Sequence, residues 1–435
     1  MTPTVLSLTA LGGLLVLLAI RVPIAVAMLA VSYCGIGAIM GFNVAWNALA
    51  VIPYQFSSSW ILSSVPMFVL MGYVAYRAEL TKGLFDAVHV WLARLPGGLA
   101  IAAIFGASGF ASVTGSSVAC AAAMGRIAVP EMTRAGYAPG LSTGVVAAAG
   151  TIGALIPPSV LMIMYGVIAQ VPITPLFLGG IMVGALTAIG YIAIVLIRVW
   201  FDPTSAPRVD VRFTTAEKLR ALKEIWPTLV IIIVVFGGLF SGLFTPTEAG
   251  AIGALMACIV GLVTRRLNWI GFRTALFETL LTSGALFIIA VAASLFARFL
   301  ALSGIGDVIT ASVAGLDADP LILILVICLI YLLLGMFLEP LGAMLLTLPI
   351  LLPVVELTPI SLVWFGVLVT KLLEIGMLTP PVGMNAFVIK SVVGDLISTV
   401  GIFRGITWFI AMDVVIIGLI VIFPDIVLYL PAIFG

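Results

Sequence analysis

The chain has 435 residues; 63% are hydrophobic, 9% are charged, and the net charge is +1. A soluble domain carries about 25% charge, so an ordinary water-soluble globule is excluded, and the near-zero net charge argues against a nucleic-acid partner. Cys34, Cys120, Cys258 and Cys328 are dispersed through apolar runs without metal-ligand spacing and read as packing residues.

Apolar runs predict spans near 3–20, 22–42, 60–76, 141–168, 173–200, 226–244, 246–264, 275–300, 360–390 and 402–424. Crossing a bilayer takes about 20 apolar residues. The first run, Val5 to Ile20, lacks the basic leader and small-residue cleavage site of a secretory signal and reads as a retained helix. Val44–Ser59 and Asn268–Phe277, with Trp46, Tyr54, Trp60, Trp269 and Phe272 in or beside them, suit interfacial helices. Two regions, about 102–130 and 323–353, are long and carry Gly or Pro near the middle. Each can be a span or a re-entrant hairpin. The polar linker 201–225, with Pro203 and Pro207, is a connecting loop or holds a short interfacial helix from Thr215 to Ile225.

The two halves repeat each other at an offset of 223 residues. Ile152-Gly153-Ala154-Leu155-Ile156-Pro157-Pro158 matches Ile375-Gly376-Met377-Leu378-Thr379-Pro380-Pro381 at five of seven positions, and the same offset pairs Pro23 with Pro246 and Pro130 with Pro353. A membrane chain of two halves, interrupted by Gly and Pro at matching places, reads as a secondary transporter whose broken segments mark the binding site. With both odd regions as hairpins and the N-terminus outside, Arg21, Arg77, Lys82, Arg94, Arg126, Arg134, Arg198, Arg265, Arg266, Arg273, Lys390 and Arg404 fall on the cytoplasmic side. The linker basics Arg208, Arg212, Lys218, Arg220 and Lys223 join them. Arg298, Asp307, Asp317 and Asp319 fall outside. This is a positive-inside pattern. The reading is an all-α polytopic membrane protein. Two inverted-topology repeats, 1–200 and 226–435, each hold five spans and one hairpin, joined by a cytoplasmic linker at 201–225.

The first hairpin holds Ser108, Ser112, Thr114, Gly115, Ser116 and Ser117. An arm of about ten residues reaches roughly 15 Å, half the hydrocarbon core. The tip then lies near the midplane, where irregular backbone is tolerated only against protein or a wet cavity. A small-residue helix contact is the plainer alternative. At the breaks a Pro-Pro pair removes two amide donors and frees carbonyls upstream. Freed carbonyls are ligands for a hard cation such as sodium. Thr151 and Ser112 add hydroxyl oxygens in the first half. Gly376, Thr379 and Met384 carbonyls, with the Asn385 side chain, offer a second cation site. Glu339, in the second hairpin, is a carboxylate at membrane depth, where a charge is costly and faces a cavity. It can bind a cation, accept from a substrate hydroxyl or carry a proton. Thr245-Pro246-Thr247-Glu248 fits a capping box. Lys371 and Glu374 can pair across one turn or support the break; Asp413 stands alone in the last span. His89 reads as an interface residue. No phosphate-binding glycine loop, metalloprotease helix or nucleophile elbow is present, so ATP is not the energy source and the chain does not read as an enzyme.

Together the Gly106–Gly125 stretch with its Gly115-Ser116-Ser117 tip, Leu155-Ile156-Pro157-Pro158-Ser159, Phe244-Thr245-Pro246-Thr247-Glu248-Ala249, Gly335-Met336-Phe337-Leu338-Glu339 and Leu378-Thr379-Pro380-Pro381-Val382-Gly383-Met384-Asn385 resemble the large membrane subunit of the tripartite ATP-independent periplasmic (TRAP) transporters. The resemblance runs along essentially the whole chain. It implies the ion-transporter superfamily fold and an elevator mechanism in the bacterial inner membrane, with the N-terminus periplasmic. It implies two partners, a small four-helix membrane subunit on a separate chain and a periplasmic substrate-binding protein. It further implies sodium-coupled import of organic acids such as C4-dicarboxylates or sialic acid. Carried to matching positions, one sodium site involves Ser112, Gly115, Thr151 and Gly153; the other involves Glu339 or its neighbours, Gly376, Thr379 and Met384. Substrate is expected at Ser116, Ser117, Glu339, Gly342 and Asn385. Many relatives carry Asp where this chain has Glu339 followed by Pro340. The alternative is a stand-alone transporter of the same superfamily, coupled to sodium or protons.

Overall fold

In hydrocarbon each amide must find its partner within its own segment, and the apolar runs accordingly form helices in the computed structural model. It describes residues 3–207, 213–306, 308, 310–311 and 319–434; Arg208, Arg212, Asp307 and Asp317 of the charge pattern lie outside them. The first half runs α1 (Pro3–Ala19), α2 (Ile24–Met40), α3 (Phe42–Ser57), α4 (Ser64–Arg77), α5 (Lys82–Leu92), α6 (Gly98–Thr114), α7 (Ser117–Arg134), α8 (Pro139–Gly150), α9 (Val160–Ile168) and α10 (Ile173–Phe201). The linker carries α11 (Thr215–Lys223), a short helix with no buried residue. The second half runs α12 (Trp226–Phe240), α13 (Pro246–Val263), α14 (Trp269–Ser303), α15 (Pro320–Gly335), α16 (Pro340–Val355), α17 (Leu362–Gly376), α18 (Met384–Val393), α19 (Thr399–Ile422) and α20 (Asp425–Phe434). The described residues form helices and no strand.

Shifted by 223 residues, α2 falls on α13, α6 on α15, α7 on α16, α8 on α17, α9 on α18 and α10 on α19. One pair breaks the likeness. In the first half α3 and the helix after it meet at a 63° bend. In the second half the matching residues form the single 35-residue α14. The segment Asn268–Phe277 is therefore not a separate interfacial helix: Asn268 caps α14, its Oδ1 accepting from Gly271 N at 2.7 Å, and the helix continues. The first copy breaks at Ser58-Ser59 after Pro53, whereas the second has Leu281-Thr282 and Leu276 at those positions.

Among the described residues four helices, α10, α13, α14 and α19, are each long and apolar enough to cross a membrane alone. The expected spans 141–168 and 360–390 are each two helices around a break, α8 with α9 and α17 with α18. The helical hairpins have longer arms than expected. The first has arms of 17 and 18 residues and the second two of 16, each about 25 Å long. Reading apolarity alone missed the polar final turns, such as Glu131 to Arg134.

The halves interlock. The helix beyond the first break, α9, packs on the second hairpin arm α16, and α18 packs on the first hairpin arm α7. Tyr165 Oη on α9 donates to the Leu362 carbonyl at 2.7 Å, and Asn385 Nδ2 on α18 donates to the Ala147 carbonyl at 3.3 Å. Cys120 is buried between the arms of the first hairpin, its Sγ 3.4 Å from the Ala107 carbonyl oxygen. The α13 capping box is formed: Thr245 N donates to Glu248 Oε2 at 2.8 Å and Glu248 N to Thr245 Oγ1 at 3.4 Å. Thr245→Ala is expected to cost about 1 kcal/mol, read as a lower unfolding midpoint in mixed micelles; an unchanged midpoint would show the cap to be redundant.

Candidate functional site

Each hairpin tip is seated against a helix break, and glycine makes the fit possible. α6 ends at Gly115 in the left-handed region (φ 62°). Ser116 then caps α7, its Oγ accepting from Ala119 N at 3.4 Å. A methyl on Gly115 would run into the Pro158 carbonyl, and one on Gly153 would sit 3.0 Å from the Ser116 carbonyl oxygen. In the second half a methyl on Gly376 would lie 2.5 Å from the Gly335 Cα. Both Pro-Pro bonds, Pro157-Pro158 and Pro380-Pro381, are cis.

The breaks differ in how their carbonyls are used. Proline has no N–H, so the oxygens four residues upstream lose their helical donors. Among the described residues, Gly153 O and Ala154 O accept no hydrogen bond. Gly376 O accepts from Thr379 N and Met377 O from Asn385 N, each at 3.1 Å. The first break thus presents free neutral oxygens beside Thr151, a donor set that suits a hard cation such as sodium. The second has found protein donors for its own. Ser112 Oγ donates to Gly109 O at 2.8 Å and Thr379 Oγ1 to Ile375 O at 2.8 Å, which leaves lone pairs on both hydroxyls.

Between the tips lies a cavity of about 390 Å³. Gly115, Ser116 and Ser117 line it from the first hairpin, Glu339, Pro340 and Leu341 from the second, and Ala154, Met377 and Met384 from the breaks. Tyr73 and Tyr76 of α4 and Glu278 of α14 close another side. Of the expected site residues, Gly115, Ser116, Ser117, Glu339 and Met384 face the cavity. Ser112, Thr151, Gly153, Gly342, Gly376, Thr379 and Asn385 do not line it. Asn385 is turned toward α8, with its Oδ1 buried and unpartnered. Glu339 caps α16, its Oε2 accepting from Gly342 N at 3.0 Å.

Glu374 was not among the expected site residues, yet it lines the cavity floor. Its Oε2 accepts from Ser117 Oγ at 2.5 Å, joining the second broken helix to the first hairpin tip. It does not pair with Lys371. The signal was present in the repeat, because Glu374 occupies the position of Thr151. Glu278 was also missed; it pairs with Arg77 of α4. The lining therefore holds three carboxylates, Glu278, Glu339 and Glu374, and no lysine or arginine.

Behind the wall, Asp413 has the partners that the sequence reading lacked. Lys371 Nζ lies 2.6 Å from Asp413 Oδ1 and 3.1 Å from Thr187 Oγ1. Tyr191 Oη donates to Asp413 Oδ2 at 2.8 Å and lies 3.2 Å from Thr151 Oγ1. All five side chains are fully buried.

The family model for the tripartite ATP-independent periplasmic transporter, DctM component, matches residues 11–426. The C4-dicarboxylate TRAP transporter large permease protein DctM of Pseudomonas aeruginosa is 34% identical over 351 residues, 80% of this chain and 81% of that protein. The sialic acid TRAP transporter large permease protein SiaM of Vibrio cholerae is 32% identical over 377 residues, 86% of this chain and 87% of that one. The isethionate TRAP transporter permease protein DctMQ of Oleidesulfovibrio alaskensis is 34% identical over 346 residues, 79% of this chain; the match spans about half, 54%, of that longer protein. In fold, the chain is similar to the YdaH transporter of Alcanivorax borkumensis (TM-score 0.62, 17% identity, 89% of this chain and 90% of that one). It is also similar to MtrF of Neisseria gonorrhoeae (TM-score 0.58, 13% identity, 88% and 85%). A repeat-built helical membrane fold and a family match over nearly the full length thus coincide: the chain belongs to the DctM-component family, the large permease subunits of the tripartite ATP-independent periplasmic transporters.

Proposed function

We propose that the chain is the large permease subunit of a sodium-coupled importer of organic acids in the bacterial inner membrane, fed by a periplasmic binding protein and completed by a small membrane subunit. The observation that carries this reading is the cavity where two hairpin tips and two helix breaks converge, with the unpartnered carbonyls of Gly153 and Ala154 behind it. Substrate sits between Ser116 and Glu339. Ser112, Thr151 and the first-break carbonyls hold one sodium ion, and Glu339, Gly376, Thr379 and Met384 serve a second. Sodium supplies positive charge to a lining that has none of its own. Each negative charge moved inward against 100 mV costs about 2.3 kcal/mol, which co-transported cations offset. The hairpins and broken helices would move as one body past α2, α4, α13 and α14, an elevator motion, with the N-terminus on the periplasmic side. The named relatives carry C4-dicarboxylates, sialic acid and isethionate, so the substrate class is a small organic anion.

The test is uptake into proteoliposomes holding this chain and its small subunit, with the cognate binding protein outside. Uptake is expected only with the binding protein present and sodium outside, not choline. Uptake without the binding protein would favour a stand-alone carrier. Equal uptake in choline would end the sodium reading.

A further inference from the structure

The buried group behind the first break has an unequal proton count. Tyr191 and Thr151 together carry two hydroxyl protons. Four acceptors face them: Asp413 Oδ2 at 2.8 Å from Tyr191, the Ala148 carbonyl at 2.7 Å from Thr151, and the two hydroxyl oxygens themselves, 3.2 Å apart. Asp413 is ion-paired to Lys371 and is acceptor-only. A hydrogen bond to a charged acceptor is about twice as strong as a neutral one, so the tyrosine proton goes to Asp413. Thr151 spends its own proton on Ala148 O or on Tyr191 and receives none. Its lone pairs stay open in the same short turn, Thr151–Ala154, that carries the free carbonyls of Gly153 and Ala154. Without Asp413, the Tyr191 proton would have one acceptor left in reach, Thr151, and would compete with a cation for that oxygen's lone pairs.

We propose that Asp413, held by Lys371, is a positioning residue that draws the Tyr191 proton away and keeps the Thr151 lone pairs open to a monovalent hard cation at the first break. The ion pair lies in α17 and α19, whereas the oxygen it frees lies in the first half. One repeat thereby sets the ligand chemistry of the other. The inference rests on the proposed cation at the first break and adds the residues that make that break competent. It also accounts for a buried ion pair where apolar side chains would pack as well, since such pairs add little net stability.

The test uses the purified full chain and reads the sodium concentration giving half-maximal rise in melting temperature, with choline balancing ionic strength. Substituting Asp413 alone would strand a buried lysine, so the pair is replaced together as Lys371→Met/Asp413→Leu, an exchange of the kind that is often neutral for folding. Tyr191 then donates to Thr151, and the half-maximal sodium concentration is expected to rise about tenfold, the worth of one hydrogen bond that must be broken. Adding Tyr191→Phe removes the intruding proton and should bring the value back to within about threefold of wild type; Tyr191→Phe alone should stay near wild type. A double variant with unchanged sodium response overturns the proposal. So does a triple variant as weak as the double, which would mean that the pair acts through packing. No sodium-specific rise in the wild type would remove the cation reading itself and the positioning role with it.

Discussion

Asp413→Ala is expected to destabilise the chain by about 3–5 kcal/mol, because it leaves Lys371 charged, fully buried and without its counter-ion. The remaining contacts, Thr187 Oγ1 at 3.1 Å and the Tyr191 ring with its centroid at 5.6 Å, are neutral and cannot replace a carboxylate. Unfolding in mixed micelles measures the loss directly. Lys371→Met/Asp413→Leu should recover most of it, since removing both charges removes the uncompensated one. A loss of only about 1 kcal/mol in Asp413→Ala, the size of one ordinary hydrogen bond, would show that water or a relaxed lysine reaches the site.

The second large effect is expected at Gly376. A methyl there would sit 2.5 Å from the Gly335 Cα, backbone against backbone, with no flexible side chain to yield. α15 must then lift from the second break. Overpacking of this kind costs about 1–3 kcal/mol, and the shifted tip should lower transport more than tenfold, because displacements near 1 Å at a reacting or binding centre cost about a hundredfold. Gly284→Ala on α14 is the matched control. Nothing lies within 4 Å of its added carbon, and alanine in a helix is favoured over glycine by about 0.5–1 kcal/mol. Gly376→Ala with wild-type melting and uptake would show that the hairpin is not held by this contact.

The sequence made the breaks and tips legible because they depend on backbone chemistry, and Gly and Pro state that chemistry outright. Thus Gly115, Ser116 and the two Pro-Pro motifs were readable. Side-chain partners between distant helices were not. Lys371 is three residues from Glu374 in the chain, yet its partner is Asp413, 42 residues away. Local spacing cannot see such a pairing, which depends on how α17 meets α19. Glu374 was passed over because a charge beside an opposite charge looks satisfied. The length of α14 was also hidden, since an aromatic, polar start reads as a surface helix whether or not the chain continues straight beyond it. The substrate residues were named partly from the first hairpin's hydroxyls, and Asn385 shows the limit: its polarity was visible, its direction was not.

The unequal third segments of the two halves have a mechanical consequence. α14, at 35 residues, is about 50 Å long and runs unbroken past Glu278, Thr282 and Leu286, which line the cavity. Its counterpart is jointed at 63°, so a displacement along the segment is carried straight through in one half and meets a bend in the other. The two meet at one side of the cavity, where Tyr73 Oη of α4 and Thr282 Oγ1 of α14 lie 2.8 Å apart. A straight rod and a jointed pair therefore share one wall of the cavity, although the two halves repeat one pattern.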